Sequence, residues 1–444
     1  MARQKFTWRI WTVGLVLILG AITAFGAASP MTGTTQGVAS GTLVFGGITC
    51  NVVISGENSQ DNAIQAALDS AVPGSVICVQ PGVYPEQLTI HVPVHLVGCT
   101  LLKLDSAKCD LSGSGPHGSK VVIEPSSLVL DTFDYDSGIP NAPVIWVNTS
   151  GSGSTLPTVI EGLTVNGSLA ASSWTFGCDN FFGIYYQNSS GTIRDVTVTG
   201  MHFPTSLLGC QGQNAIYVNN GALGRGGMAT SVHVNILNDL VTGYGKNGIT
   251  CNDPGVFCRI AKNRVQGLGP TPLIAQNGIQ IGFGAAGIVR GNVVFGNSYN
   301  NTSDTENYLT ATYMAGGILI YDASSATVDY NTVSANDIGI WVASGFYDVP
   351  PYQISPPVPA TMSVALVGDH VGKNFGYGVV FDTTNGTVSG STISDNPVGL
   401  FAVTFGNFNT TVIAMNDVFN ADIVSTQVPF PPPNPPYTAT IIVE

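Results

Sequence analysis

Between residues 158 and 425 the chain returns repeatedly to one short pattern, and no other feature restricts its fold as strongly. The copies align on an Asx-like position held by Val196, Asp239, Asn263, Asn292, Asn331, Asp369, Ser391 and Asn416. Three residues before it stand Ile193, Ile236, Ile260, Val289, Val328, Leu366, Val388 and Ile413, and two residues after it Val198, Val241, Val265, Val294, Val333, Val371, Ile393 and Val418. A second segment of each copy opens on a small residue followed by an aliphatic one: Gly183-Ile184, Ala215-Ile216, Gly248-Ile249, Gly278-Ile279, Gly317-Ile318, Gly339-Ile340, Gly378-Val379 and Gly399-Leu400. Successive openings are 32, 33, 30, 39, 22, 39 and 21 residues apart, so the bare unit is 21 or 22 residues and the longer steps carry insertions, among them 298–314 and 347–360.

A unit this short cannot bury its own apolar residues, so the copies must stack and share one core. Equivalent strands then run parallel at about 4.8 Å spacing, with alternate side chains pointing inward. Those inward positions are the aliphatic columns. Asn suits the bend where a strand turns a corner, and its amide can bond the equivalent residue above and below. The pattern predicts an all-β chain, a single right-handed parallel β-helix.

Composition agrees with short strands and turns. Charged residues make up only 9%, against roughly 25% in ordinary soluble domains, and 54 glycines stand among many Ser, Thr and Asn. Arg3, Lys5 and Arg9 precede an apolar run from Ile10 to Phe25 that ends on Gly26, Ala27 and Ala28, so residues 1–28 read as a signal peptide or an N-terminal anchor. Membrane contact is expected through this segment alone. Without it, 11 basic residues face 27 acidic ones, a net charge of −16 that argues against nucleic acid as a partner. The chain then divides into a linker (29–48), an N-terminal cap with the first coils (49–157), the repeats (158–425) and a Pro-rich tail (426–444). With Pro429, Pro431 to Pro433, Pro435 and Pro436, that tail is expected to be extended and unable to join a sheet.

Residues 59–71 carry Ile64, Ala67, Leu68 and Ala71 at helical spacing, and Pro73-Gly74 stops the helix. Such a helix can plug the open end of a solenoid. Short strands follow over Val76–Val79, Leu88–Ile90 and His95–Val97. The run Asn62-Ala-Ile-Gln-Ala-Ala-Leu-Asp-Ser-Ala-Val-Pro-Gly-Ser-Val-Ile-Cys-Val-Gln-Pro-Gly-Val-Tyr-Pro-Glu86 resembles the N-terminal cap of the pectate-lyase-like superfamily, and the later Gly-Ile and Asn-x-Val pattern is similar to that superfamily's coils. The resemblance implies the fold and leaves the chemistry open, because such folds host many activities and also none. The sequence lacks the Gly-His-Gly of polygalacturonases and the Trp-x-Asp-His of pectate lyases. Asn252-Asp253-Pro254 is similar to the Asp-Pro-His core of alginate epimerases, with Gly255 in place of the His.

Several groups are candidates for function. Lys246, Arg259, Lys262, Arg264 and Arg290 concentrate five cations within 45 residues, and Lys262, Arg264 and Arg290 form a candidate site for an acidic glycan. The alternative is that these residues pair with local carboxylates and solvate one face. The residue after each aliphatic opening gives an outward column of Tyr185, Tyr217, Thr250, Gln280, Leu319, Trp341, Val380 and Phe401, in which Tyr185, Tyr217 and Trp341 would stack on sugar rings unless inserted loops cover them. No cofactor is required. Asp131, Asp134 and Asp136 supply closely spaced oxygen ligands for Ca²⁺, or simply an acidic loop. His91 and His95 lack the helical spacing of a zinc pair.

The eight cysteines are even in number, as in an exported, disulfide-bonded chain. Cys178 and Cys210 each precede the opening of successive units by five residues, which places them one coil apart and within disulfide reach. Cys99–Cys109 and Cys251–Cys258 are sequence-adjacent alternatives, with Cys251 in an inward column where a free thiol is common. The leading functional expectation is an exported protein that binds a polysaccharide or serves in the cell envelope. A polysaccharide lyase or epimerase acting on uronates, and a structural stalk or adhesin, are its rivals.

Overall fold

The computed structural model describes residues 43–45, 48–55, 62–99, 119–134, 138–221, 231–299, 308–309, 313–344, 363–404, 409–428 and 437–444. The expected signal segment, most of the linker, Cys109 and Asp136 lie outside these residues.

Three long parallel sheets form the walls of a right-handed β-helix. Each coil contributes one strand to each wall, as in Thr158–Glu161 for the first sheet, Thr164–Asn166 for the second and Asn180–Gln187 for the third. The sheets contain 13, 11 and 12 strands, and the third includes one antiparallel flap, Thr132–Phe133, hydrogen-bonded to Pro140–Val147. Helix Ala63–Asp69 turns Ile64, Ala67 and Leu68 into the core, and the buried Glu86 carboxylate accepts the helix's first free N–H groups, Ile64 N at 3.1 Å and Gln65 N at 2.9 Å.

The repeat columns are physical columns. Ile184, Ile216, Ile249, Ile279, Ile318, Ile340, Val379 and Leu400 pair rung to rung along the third sheet, and all are completely buried. Ile193, Ile236, Ile260, Val289, Val328, Leu366 and Val388 do the same on the first sheet. The last copy departs from the expected alignment by one residue. Ala414 pairs with Val388, Asp417 occupies the Asx position, and Phe419 pairs with Ile393, while Val418 is 61% exposed. Val412, Ile413 and Ala414 offer apolar side chains at both parities, so the two-residue period cannot set this register by itself.

The Asx residues form a hydrogen-bonded ladder at the corner between the first and second sheets. Oδ1 of Asp239, Asn263, Asn292, Asn331 and Asp369 each accepts from the backbone N–H of the ladder residue one coil earlier, at 2.8 to 2.9 Å. The left-handed bend itself falls on the preceding residue, including Asn238, Lys262, Gly291 and Tyr330, so the ladder residue is selected for its side chain rather than for tolerance of the turn. A second ladder of Asn297, Asn336, Asn374 and Asn396 lines the corner between the second and third sheets, each amide linked to the next at 2.9 to 3.1 Å. Buried polar groups satisfied in this way fix one stacking register.

Three disulfides tie the described part of the stack. Cys50–Cys78, Cys178–Cys210 and Cys251–Cys258 have Cα separations of 5.9, 5.3 and 6.5 Å. Cys251 is therefore not a buried free thiol. It and Cys258 both point inward from consecutive strands joined by the tight corner at Asp253–Gly255, which brings their sulfurs together. The tail also differs from expectation. Beyond its prolines, Ala439–Val443 returns as the last strand of the first sheet, paired with Thr410–Met415. Proline bars only its own positions from a ladder.

The amide ladder yields a first prediction. Asn331→Ala removes the acceptor of Asn292 N and Nδ2 and the donor to Val289 O, all buried. Leaving these groups unsatisfied should cost on the order of 3 kcal/mol. Thr332→Ala, one residue away and exposed, should change stability by less than about 0.5 kcal/mol. Denaturant unfolding of the two variants checks the contrast.

Candidate functional site

Two surfaces carry the residues singled out by sequence. On the third sheet, the residue after each inward aliphatic points outward, giving Trp146, Tyr185, Tyr217, Thr250, Gln280, Leu319, Trp341, Val380 and Phe401 in register. This face is largely covered. Tyr185 is 0% and Tyr217 7% exposed, packed with Phe182, whose ring lies 4.8 Å from that of Tyr217. These two tyrosines are core of a local ring cluster and not an open stacking platform. Buried amides follow along the middle coils, where Asn277 donates to Asn247 at 3.0 Å and Gln280 to Asn252 at 3.1 Å.

Trp341 retains partial exposure, but its indole N–H donates to the Tyr308 hydroxyl at 3.1 Å. Tyr308 comes from the insertion between two coils; its hydroxyl donates to Asp382 Oδ2 at 2.5 Å, and its backbone N–H donates to the Tyr377 hydroxyl at 2.9 Å. Burial raises the Asp382 carboxyl to about 6, with the Asp322 charge adding to it and the bonds from Tyr308 and Thr383 opposing. Tyr308, Trp341, Tyr377 and Phe401 thus form a ring cluster pinned by one carboxylate.

The cations are sorted by the fold. Lys246 lies at the entry to the third sheet, where its ammonium donates to Ala275 O at 2.7 Å and burial lowers its pKa to about 8. Arg259 points out from the first sheet, paired in register with Asn235 and Ile288. Lys262, Arg264 and Arg290 do come together, at the corner between the first and second sheets. Lys262 N donates to Arg290 O at 3.0 Å, which makes them rung neighbours. The Arg264 guanidinium lies 4.5 Å from the centre of the Phe295 ring on the next coil. Arg290 lies 5.3 Å from that of Tyr330, itself 55% exposed, and pairs with Asp329 at 3.5 Å. Among the described residues that is the stripe's one ion pair. The stripe therefore presents three exposed cations on two successive coils, two of them braced on rings of the coil that follows each.

The remaining candidates do not converge. Asp131 accepts from Gln87 Nε2 at 2.8 Å, its carboxyl raised by burial, and Asp134 N bonds Ile139 O across a turn. Among the described residues no three acidic, His or Cys side chains gather around a common centre. His95 Nε2 sits 2.8 Å from Glu161, which also holds Arg194 at 2.7 Å, while His91 stands edge-on to Trp146. Burial by itself raises the Glu161 carboxyl, but the bonds from His95 and Arg194 bring it below its ordinary value. Asp253 uses Oδ2 to accept from Asn220 N and Gly221 N at 3.2 and 2.7 Å, a corner-shaping role. Sequence reasoning missed the rings of Phe295 and Tyr330, whose signal was their placement one coil beyond Arg264 and Arg290.

No protein-family description and no curated protein matches this sequence. Solved structures do resemble it. The mannuronan C-5 epimerase AlgE6 A-module of Azotobacter vinelandii is 15% identical, with 91% of this chain and 98% of that chain covered at a TM-score of 0.46. A mutant of the periplasmic alginate epimerase AlgG is 11% identical over 83% of this chain and 71% of that one, at 0.42. Pectate lyase Pel9A is 11% identical over 85% and 72%, at 0.31. What this chain shares with them is the right-handed parallel β-helix.

The ring cluster over the third sheet is testable. Tyr308→Phe removes the donor to Asp382 and the acceptor of the Trp341 indole, and should destabilise the protein by about 1–3 kcal/mol. Acrylamide quenching should then reach Trp341 more readily, as read by the difference between the variant and a Tyr308→Phe/Trp341→Phe control.

Proposed function

We propose that this chain is an extracellular β-helix that binds an acidic polysaccharide along the corner stripe of Lys262, Arg264 and Arg290, without turning it over. The supporting observation is the exposure of these three cations on adjacent coils of a chain whose net charge is −13, with Arg264 and Arg290 held over Phe295 and Tyr330. A ring beneath a guanidinium orients it while leaving its N–H fork for carboxylate or sulfate oxygens. Successive coils rise about 4.8 Å, so the stripe follows a ligand laid parallel to the helix axis. A guanidinium stays protonated in a protein, so Arg264 and Arg290 act here as fixed cations that hold a carboxylate. The disulfides suit an oxidising compartment.

The triple variant Lys262→Gln/Arg264→Gln/Arg290→Gln should lose retention on columns of pectate or alginate while keeping its circular dichroism. Retention of the native protein should weaken as salt rises, because exposed charge pairs are screened. Unchanged retention of the triple variant would refute the site, and unsaturated uronate appearing in solution would refute the absence of turnover.

A further inference from the structure

The asparagines and aspartates of the first corner ladder are not equivalent. Asn263, Asn292 and Asn331 each send Nδ2 to a carbonyl of the preceding coil, Ile236 O at 2.9 Å, Ile260 O at 3.0 Å and Val289 O at 2.9 Å. Asp239, Asp369 and Asp417 hold the same position in their coils, with Oδ1 accepting from Val196 N, Asn331 N and Ser391 N at 2.8, 2.8 and 2.7 Å. In all three the other oxygen, Oδ2, is buried with no hydrogen-bond partner. With Oδ1 matched to the asparagine Oδ1, this oxygen falls where asparagine carries the Nδ2 that donates to a carbonyl. An ionised carboxylate has nothing to donate there, and its charge would be buried against an acceptor.

We propose that Asp239, Asp369 and Asp417 are neutral acids in the folded protein, each Oδ2–H donating to the preceding coil as the asparagine amides do, so that the stack is strongest in acidic surroundings and weakened by alkali. The charges around them agree. Asp239 faces the Asp195 carboxylate at the neighbouring corner and the Tyr186 hydroxyl across the core. Asp369 faces Asp329, whose own partner is Arg290, and the adjacent His370 is exposed. The backbone N–H groups of Ser391 and Met415 at Asp417, of Val196 and Leu237 at Asp239, and of Asn331 and Val367 with the Asn331 amide at Asp369, oppose the upward shift, and burial outweighs them. Among the described residues no cation touches any of the three. Burial raises all three carboxyls, that of Asp369 to about 7.

A carboxyl raised in the folded state keeps its proton after the unfolded chain has released it. Stability is therefore full below the unfolded value, near 4, and falls as pH climbs towards the folded value. The test is the guanidinium unfolding midpoint of the native chain and of Asp239→Asn/Asp369→Asn at pH about 5 and about 8. The native midpoint should fall across this interval. The variant's should fall less than half as far and should exceed the native's at the higher pH. Equal falls, or a lower variant midpoint at the higher pH, would overturn the proposal. Should the double variant not fold, the native protein at neutral pH supplies a second readout: an infrared carbonyl band of unionised carboxylic acid that diminishes in the single variant Asp369→Asn. Absence of that band from the native protein would equally overturn it.

Discussion

The structure depends on one constraint: a 21- or 22-residue coil with three short strands has no stability until its backbone groups and its corner side chains are matched by the coil on either side. Backbone pairing alone would permit a coil to slide by two residues along its neighbour with every N–H still bonded. The corner ladders remove that freedom. A displaced coil would bring an apolar or oversized side chain to a position where Asn331 Oδ1 now accepts from both Asn292 N and Asn292 Nδ2 at 2.9 Å, and buried amides would lose their partners. Register is thereby specified by polar satisfaction, while cohesion comes from the aliphatic columns.

Because the inside of the coil is committed to packing, anything the protein recognises must be written on outward positions and corners. The three walls have met this condition differently. On the third sheet, rings and amides are covered and bonded to one another, with Tyr308 brought in from an insertion to close over Trp341, Tyr377 and Phe401. At the first corner the connections are too short to be covered, and the residue bearing the left-handed bend, Lys262 or Tyr330, necessarily projects its side chain into solvent. The same geometry that forces the ladder residue inward thus forces its predecessor outward, and the stripe takes Lys262 and Tyr330 from those predecessors.

The fold is legible in the sequence because stacking imposes a period that local propensity does not. Each Gly-Ile opening from Gly183 to Gly399 pairs in register, and two insertions longer than a strand do not disturb the alignment. Legibility ends where the period is weak. The run Val412–Ile413–Ala414 fits either register, and the Asp417 side chain, bonded to Ser391 N, marks the one adopted. The second ladder is readable in principle, since Asn297, Asn336, Asn374 and Asn396 each stand five residues after a member of the first, but asparagine is common enough here that its spacing escapes notice. Cys251 does point inward as its column implies, and what the column view could not supply is the tight corner that turns Cys258 back towards it.

The candidate surfaces show a deeper limit. A column of outward rings such as Tyr185, Tyr217 and Trp341 has the same sequence signature whether it is open or roofed, because the roof is built from insertions whose length is visible but whose path is not. Burial separates the two cases only in three dimensions, and here it assigns the tyrosines to packing. The cationic corner is different in kind. Lys262 and Arg264 flank a ladder residue, and the ladder fixes which way both neighbours point, so their exposure follows from position alone. Exposure can be inferred at a ladder corner and not in mid-strand, which makes the corners the part of a β-helix surface most accessible to reasoning from sequence.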